Sequence, residues 1–244
     1  MRRWYLAAIT VFGVLLIDQL SKIWIKTNMA LGDTMFDVGF FQLHFIENNG
    51  MAFGTEFGGD NGKLFLSLFR IVAIGVIGYY LVRFIKKKYH KGLILSMSLV
   101  FTGALGNIID SIFYGLIFDK TCWCPPGDKT GCVFQPENAY CIDGSTSEMV
   151  PMGNGYADIF YGRVVDMMQF TMDWPSWMPW VGGDPVFPFI FNVADVAISV
   201  GVIAIIIWSN KFFPESELGS WNFLNWFKKK ETKTELNESD ETTS

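Results

Sequence analysis

The chain has 244 residues, of which 50% are hydrophobic, 16% aromatic and 18% charged, with a formal net charge of −5. Its apolar residues gather into long runs, which argues against a soluble domain of this length. No basic stripe marks a nucleic-acid-binding surface, and much of the acidic excess lies in the C-terminal tail.

The runs fall near residues 5–25, 64–85, 92–117 and 188–208. Each approaches the roughly 20 residues that a helix needs to cross hydrocarbon. The expected fold is therefore an α-helical integral membrane protein with four transmembrane helices. Arg2 and Arg3 precede the first run, Arg83, Lys86–Lys88 and Lys91 join the second to the third, and Lys211 and Lys228–Lys230 follow the fourth. The positive-inside rule makes these three regions cytoplasmic. Both termini are then inside, and the long connections lie outside. Asp18 and Lys22 interrupt the first run and no small-x-small cleavage site follows, so the run is expected to be an uncleaved span rather than a signal peptide.

In chain order, helix 1 is expected over 1–26. Asp18 and Lys22 share a helical face, with Lys26 one turn on. Lys26 suits a snorkelling residue at the interface, while Asp18 and Lys22 suit a brace between helix ends. Residues 27–63 form an outer segment with alternating apolar residues from Phe36 to Ile46, followed by an Asn49-Gly50 turn signal. Its many aromatics favour a small sheet lying on the bilayer. His44 is read as structural. Helix 2 (64–85) carries Arg70, ~10 Å from its outer end at ~1.5 Å per residue; it either snorkels or pairs with an intramembrane carboxylate. After a cytoplasmic link (86–91), helix 3 (92–117) carries Gly103, Ala104 and Gly106, which permit close helix approach. It also places Asn107 and Asp110 on one face.

Residues 118–187 form a second outer region holding an insertion and a short strand around Asp166. All four cysteines, Cys122, Cys124, Cys132 and Cys141, lie in the insertion. An oxidising compartment favours disulfides among them, with free thiols and a metal knuckle as alternatives. The run Trp174-Pro-Ser-Trp177-Met-Pro-Trp180 is rich in interface anchors. Helix 4 (188–210) opens with Pro188 and carries Asn192 and Asp195, again three apart. A carboxylate within a span costs roughly 2.5–3.5 kcal/mol at its centre and less near an end, so it marks a functional site. The tail 211–244 is expected to hold an amphipathic surface helix near Trp221–Phe227 and a disordered end.

Two aspartates that share a proton form a hydrolytic centre without metal, because like charges push their pKa values apart. An ion-coupled transporter is the competing reading of intramembrane acids, and an adaptor with a partner-binding loop is a third. Five pieces decide between them: Asp18-x-x-Ser21-Lys22; Asn48-Asn-Gly50-x-Ala52-Phe53-Gly54; Gly103-Ala-x-Gly106-Asn107-x-x-Asp110; Gly162-x-Val-Val-Asp166; and Phe191-Asn192-x-Ala194-Asp195. In this order on four spans, the chain resembles the bacterial lipoprotein signal peptidase (signal peptidase II) family over roughly residues 5–210, apart from the insertion.

The resemblance implies a cofactor-free aspartyl endopeptidase of the bacterial inner membrane that acts as a monomer. Its substrates would be diacylglyceryl-modified prolipoproteins in the phospholipid bilayer, cut before the lipidated cysteine. Asp166 and Asp195 match the family's dyad. Asn48, Asn107, Asp110 and Asn192 match site-shaping positions, and the 34–54 sheet, with Gly50 and Phe53, matches an acyl-holding cradle. Two departures stand out. Ser111 occupies a position where the family usually has Arg, so Arg163 or Arg70 is expected to supply that charge. About fifty residues separate the third motif from Val164-Val165-Asp166, which leaves Asp119 as a rival to Asp166.

Overall fold

The computed structural model describes residues 1–48, 59–119 and 146–213, together with three two-residue strands inside the insertion; at residues 59–61 and in those three strands only the backbone course is described. In chain order the elements are helix α1 (Arg2–Asn28), strands β1 (Thr34–Met35) and β2 (Phe41–Asn48), helices α2 (Gly59–Lys86) and α3 (Lys91–Ile109), a π-helical turn (Asp110–Tyr114), a short helix α4 (Gly115–Ile117), the strands β3 (Cys122–Trp123), β4 (Val133–Phe134) and β5 (Ala139–Tyr140), strands β6 (Val164–Phe170) and β7 (Ile190–Phe191), and helix α5 (Val193–Phe212). Gly50, Phe53, the side chains of the four cysteines, and the expected tail helix and disordered end lie outside the described residues.

Among the described residues, four helices are long and apolar enough to cross a membrane. Their burial is inverted relative to a soluble bundle. Ile9, Phe12, Phe65, Phe69, Ile203 and Ile207 face outward, while Asp18, Lys22, Ser98, Thr102 and Asp110 are buried. Lipid accepts the apolar faces, so polar groups collect where they can pair with one another. The third span is central: 44% of its apolar window is buried, against 11–17% for the other three.

Small residues set how closely the helices approach. A Cβ on Gly103 would lie 2.2 Å from the Ala194 carbonyl oxygen, and one on Gly201 would lie 2.6 Å from that of Ser96. These contacts bring α3 and α5 nearly backbone to backbone. Gly106 gives the same access to α1, since its Cβ would meet Asp18 Oδ2 at 2.6 Å. At the far end, Tyr89, Leu93 and Phe212 close the bundle.

One end of the bundle carries a four-stranded sheet in the order β1-β2-β6-β7, antiparallel throughout. Its buried face joins Phe45, Val165 and Met167 to Ile25, Met29, Tyr114 and Phe118. His44 lies opposite Thr34 and its Nδ1 is 2.9 Å from the threonine hydroxyl, which fixes β1 on the sheet edge. Between β6 and β7 the chain runs out and back, closed where Trp174 N–H donates to Asp184 O (2.9 Å) and Val186 N–H to Met172 O (2.8 Å). Trp177 and Trp180 project from this excursion almost fully exposed.

Two expectations need correction. The fourth helix begins at Val193, and residues 190–191 pair with β6 instead of opening the span. A short aromatic run reads alike as strand or helix start; backbone bonds to Met168 and Gln169 decide it here. Lys26 does not snorkel. It is 1% exposed and forms a buried ion pair with Glu47.

Candidate active site

Strand pairing brings the two candidate aspartates together. Asp166 is the third residue of β6, and β7 is hydrogen-bonded beside β6 through Met168–Phe191 and Gln169–Ile190. The residue after β7, Asn192, is the N-cap of α5, and Asp195 stands at its third helical position. Asn192 Oδ1 accepts the Asp195 N–H at 3.0 Å, and Asp195 Oδ2 accepts the Asn192 N–H at 3.1 Å. This capping box satisfies two amides that a helix start leaves open, and it holds the carboxylate at the tip of the span.

The same asparagine reaches the other aspartate. Its side-chain nitrogen donates to Asp166 Oδ1 at 2.7 Å and also faces Asn107 Oδ1 (3.1 Å) and Val165 O (3.2 Å). One residue therefore ties Asp166 to Asp195 through separate groups. Asn48, at the end of β2, donates to Asp166 Oδ2 at 3.3 Å. Asn107 Nδ2 donates to Asp195 Oδ1 at 2.8 Å.

Behind this layer lies a charged one. Lys22 Nζ donates to Asn107 Oδ1 at 3.0 Å and pairs with Asp18 at 2.9 Å and Asp110 at 2.8 Å, all three charges being essentially sealed from solvent. A buried charge without such partners is strongly destabilising. Asp18 Oδ1 also accepts the Ala194 N–H at 2.9 Å, so α1 caps the start of α5. Gln19 joins the two acids, donating to Asp110 Oδ1 at 3.0 Å and Asp18 Oδ2 at 3.1 Å, and it accepts from the Tyr114 hydroxyl at 3.3 Å. Sequence reasoning passed over Gln19. The available signal was an amide within an apolar span, next to an acid.

Burial and then the charge of Asp195 push the Asp166 pKa up to about 7, opposed by hydrogen bonds from Asn192 and Asn48 and by the charge of Lys22. Asp166 is thus disposed to hold a proton at neutral pH. Arg70 lies where Asp195, Asp166 and Asp110 all act on its charge, in that order. Ser111 is buried, and its hydroxyl returns to Asn107 O at 3.2 Å. The Arg163 N–H donates to the Tyr156 hydroxyl at 2.8 Å, and Lys22 is a cation that lowers the Asp166 pKa.

The long insertion leaves this geometry intact because its stem folds back on the third span. Val150, Gly153, Tyr156 and Ala157 donate backbone hydrogen bonds to Ile117, Leu116, Phe118 and Gly115. Gly162 N–H then meets Ser111 O at 2.9 Å, the carbonyl at the π-helical turn, and a Cβ at Gly162 would lie 2.2 Å from Asp110 O. The rival Asp119 belongs to this stem. Its Oδ1 accepts from Glu148 N–H (2.8 Å) and Ser147 Oγ (3.1 Å), which occupies it in a loop. Asp119→Asn is expected to retain cleavage, with altered protease sensitivity of the insertion as its main effect; gel assays of peptide cleavage and limited proteolysis check this.

A sequence profile described as signal peptidase (SPase) II matches residues 10–123 and 151–211, well over half the chain. The chain belongs to the signal peptidase II family. The unmatched stretch between the two blocks lies within the insertion, so the family's framework closes across it as the stem does. A lipoprotein signal peptidase of Porphyromonas gingivalis is 42% identical over 200 residues, covering 80% of this chain and 78% of that one. One from Amoebophilus asiaticus is 33% identical over 214 residues, covering 84% and 77%. A solved bacterial membrane enzyme superposes with a TM-score of 0.50 at 25% identity, covering 84% of this chain and 87% of that chain. With four apolar helices, this signal peptidase II family member is a multi-pass protease of the bacterial inner membrane.

Proposed function

We propose that this protein is an aspartyl endopeptidase that cleaves diacylglyceryl-modified prolipoproteins immediately before the lipidated cysteine, with Asp166 and Asp195 as its catalytic pair. The observation that carries the reading is Asn192, which holds Asp195 through its backbone and Asp166 through its side chain. The names of the relatives support the substrate class.

The chemistry follows from the unequal surroundings of the two acids. The dyad holds one proton. The ionised carboxylate takes a proton from water as the water oxygen attacks the peptide carbonyl. The protonated partner hydrogen-bonds the developing oxyanion and then gives its proton to the departing amide nitrogen. The elevated Asp166 supports its role as the proton-bearing member in the resting site. Asn48, Asn107 and Asn192 fix the carboxylate rotamers. Lys22 pairs with both Asp18 and Asp110 beneath them, and Gly103 lets α5 seat against α3. Arg70 supplies the positive charge that Ser111 lacks; Arg163, adjacent to the strand, orients the backbone entering β6.

The distribution of Lys and Arg supports an orientation with both termini in the cytoplasm and the sheet at the outer face. Phe36, Val38 and Phe40 in the β1–β2 connection and Trp177 and Trp180 in the β6–β7 excursion are exposed. At that level they would rest in the outer leaflet and cradle the acyl chains, a role the sequence resemblance extends to Gly50 and Phe53, which lie outside the described residues. The test uses purified protein in lipid with a matched pair of prolipoproteins, one diacylglyceryl-modified and one not. The modified substrate is expected to be cut and the unmodified one spared, with EDTA leaving the rate unchanged. Equal cleavage of both, or loss of cleavage in EDTA, refutes the reading.

A further inference from the structure

Two lysines one turn apart on α1 go to two different halves of the site. Lys22 reaches Asn107, the partner of Asp195. Lys26 reaches Glu47, the residue before Asn48, the partner of Asp166. Sequence reasoning gave Lys26 to the membrane interface and gave Glu47 no role.

The strand explains why Glu47 matters. Glu47 pairs across the sheet with Val165, and Asn48 with Val164. Opposed residues share a face and neighbours alternate, so Glu47 points with Val165 into the core under the sheet, while Asn48 points with Asp166 into the site. The β2–β6 register slips by one residue between Leu43 and Ile46. A bulge of this kind flips the faces of everything after it. Past the slip the ladder resumes with Glu47 opposite Val165 and Asn48 opposite Val164, and the buried Lys26–Glu47 pair adds a fixed point on the core side.

Lys26 is also a junction. Its Nζ sits 5.1 Å from the Phe118 ring centroid and 5.2 Å from that of Tyr156, and its carbonyl accepts Ser147 N–H at 3.2 Å. Tyr156 in turn accepts the N–H of Arg163, three residues before Asp166. The ion pair is an expensive core element. Both partners are 1% exposed, and Glu47 Oε2 finds no hydrogen bond among the described residues. An apolar pair of similar volume fills such a space at least as well. Core packing alone does not account for the charges.

We propose that the buried Lys26–Glu47 ion pair is a positioning device: it locks the face of β2 so that Asn48 meets Asp166, and it fastens the stem of the insertion to the same point. The proposal rests on Asp166 being a member of the catalytic pair. If that premise fails, Asp166→Asn retains activity, which is a separate result from those below.

The experiment compares Lys26→Met, Glu47→Gln and the double variant Lys26→Met/Glu47→Leu in the full-length enzyme with diacylglyceryl-modified prolipoprotein. Each single variant is expected to lower kcat about tenfold with KM within about twofold, the pattern of a lost transition-state contact. Each is also expected to move the high-pH fall of kcat/KM upward, as Asn48→Ala does. The double variant removes the unpaired charge and is expected to regain the melting temperature while keeping the low kcat and the shifted profile. Asn48→Ala added to it is expected to cost nothing further. A double variant with wild-type kcat and pH profile overturns the proposal. So does a full Asn48→Ala penalty in that background, or a double variant too unstable to purify, since the pair would then serve folding alone.

Discussion

Asp195→Asn and Asp166→Asn are each expected to lower cleavage by about 10⁴-fold or more, the scale seen when a member of a cooperating catalytic group is removed. An amide can neither take the proton from water nor return one to the leaving nitrogen. It also damages the local geometry in a predictable way. Both oxygens of each carboxylate accept hydrogen bonds: Asp195 from Asn107 and the Asn192 amide, Asp166 from Asn192 and Asn48. An Asn side chain offers one acceptor, so one donor at each site faces another donor. At position 195 the displaced donor is either Asn107 Nδ2 or the Asn192 N–H of the capping box, and losing one such hydrogen bond costs about 1 kcal/mol. Activity and melting temperature should therefore part company: stability falls slightly while turnover disappears. With the two acids acting as one unit in the proposed mechanism, the double variant is expected to be no slower than either single variant.

Gly103→Ala is expected to have the largest effect on stability, of about 3 kcal/mol or more for overpacking against an obstacle that cannot move aside. The added Cβ would lie 2.2 Å from Ala194 O and 3.1 Å from Ala194 C, so main chain blocks it. Relief requires α5 to withdraw from α3, and α5 carries Asn192 and Asp195 at its start. Activity should fall with the melting temperature. Gly13→Ala is the control: nothing lies within 4 Å of its Cβ, and a helical Ala is favoured over Gly by up to about 1 kcal/mol. Thermal melting in detergent separates the two.

The contrast between Lys22 and Lys26 shows what the sequence could convey. The helices were legible because lipid demands long apolar runs, and Asp195 stood out as a candidate because a carboxylate in such a run is costly. The Asp18–Lys22 brace followed from four-residue spacing on one helix. Lys26 has the same local pattern, but its partner is Glu47, on a bulged strand whose register no spacing rule supplies. The π-helical turn was equally hidden, because it accompanies the docking of Gly162 onto Ser111, some fifty residues away. β7 is two apolar residues whose strand character comes from Met168 and Gln169. What escaped sequence reading in each case was a long-range hydrogen bond or ion pair, and these are the contacts that assemble the site.

Asp166 also links the site to pH. Its native pKa, about 7, lies above the usual carboxylate range, so the native state favours the protonated form. That stabilising contribution is present in full below the ordinary carboxylate pKa and is lost as pH rises through about 7. Activity should follow the same proton. Above this pH Asp166 no longer carries the proton that the leaving nitrogen needs. The most direct test of a proton-sharing pair is kcat/KM against pH for the lipid-embedded enzyme, with Asn48→Ala alongside. The expected result is a fall above about pH 7 in the wild type, displaced to higher pH when the Asn48 hydrogen bond that lowers the Asp166 pKa is removed. A rate that stays flat or keeps rising two units above that point, or an Asn48→Ala profile that moves to lower pH, would contradict it.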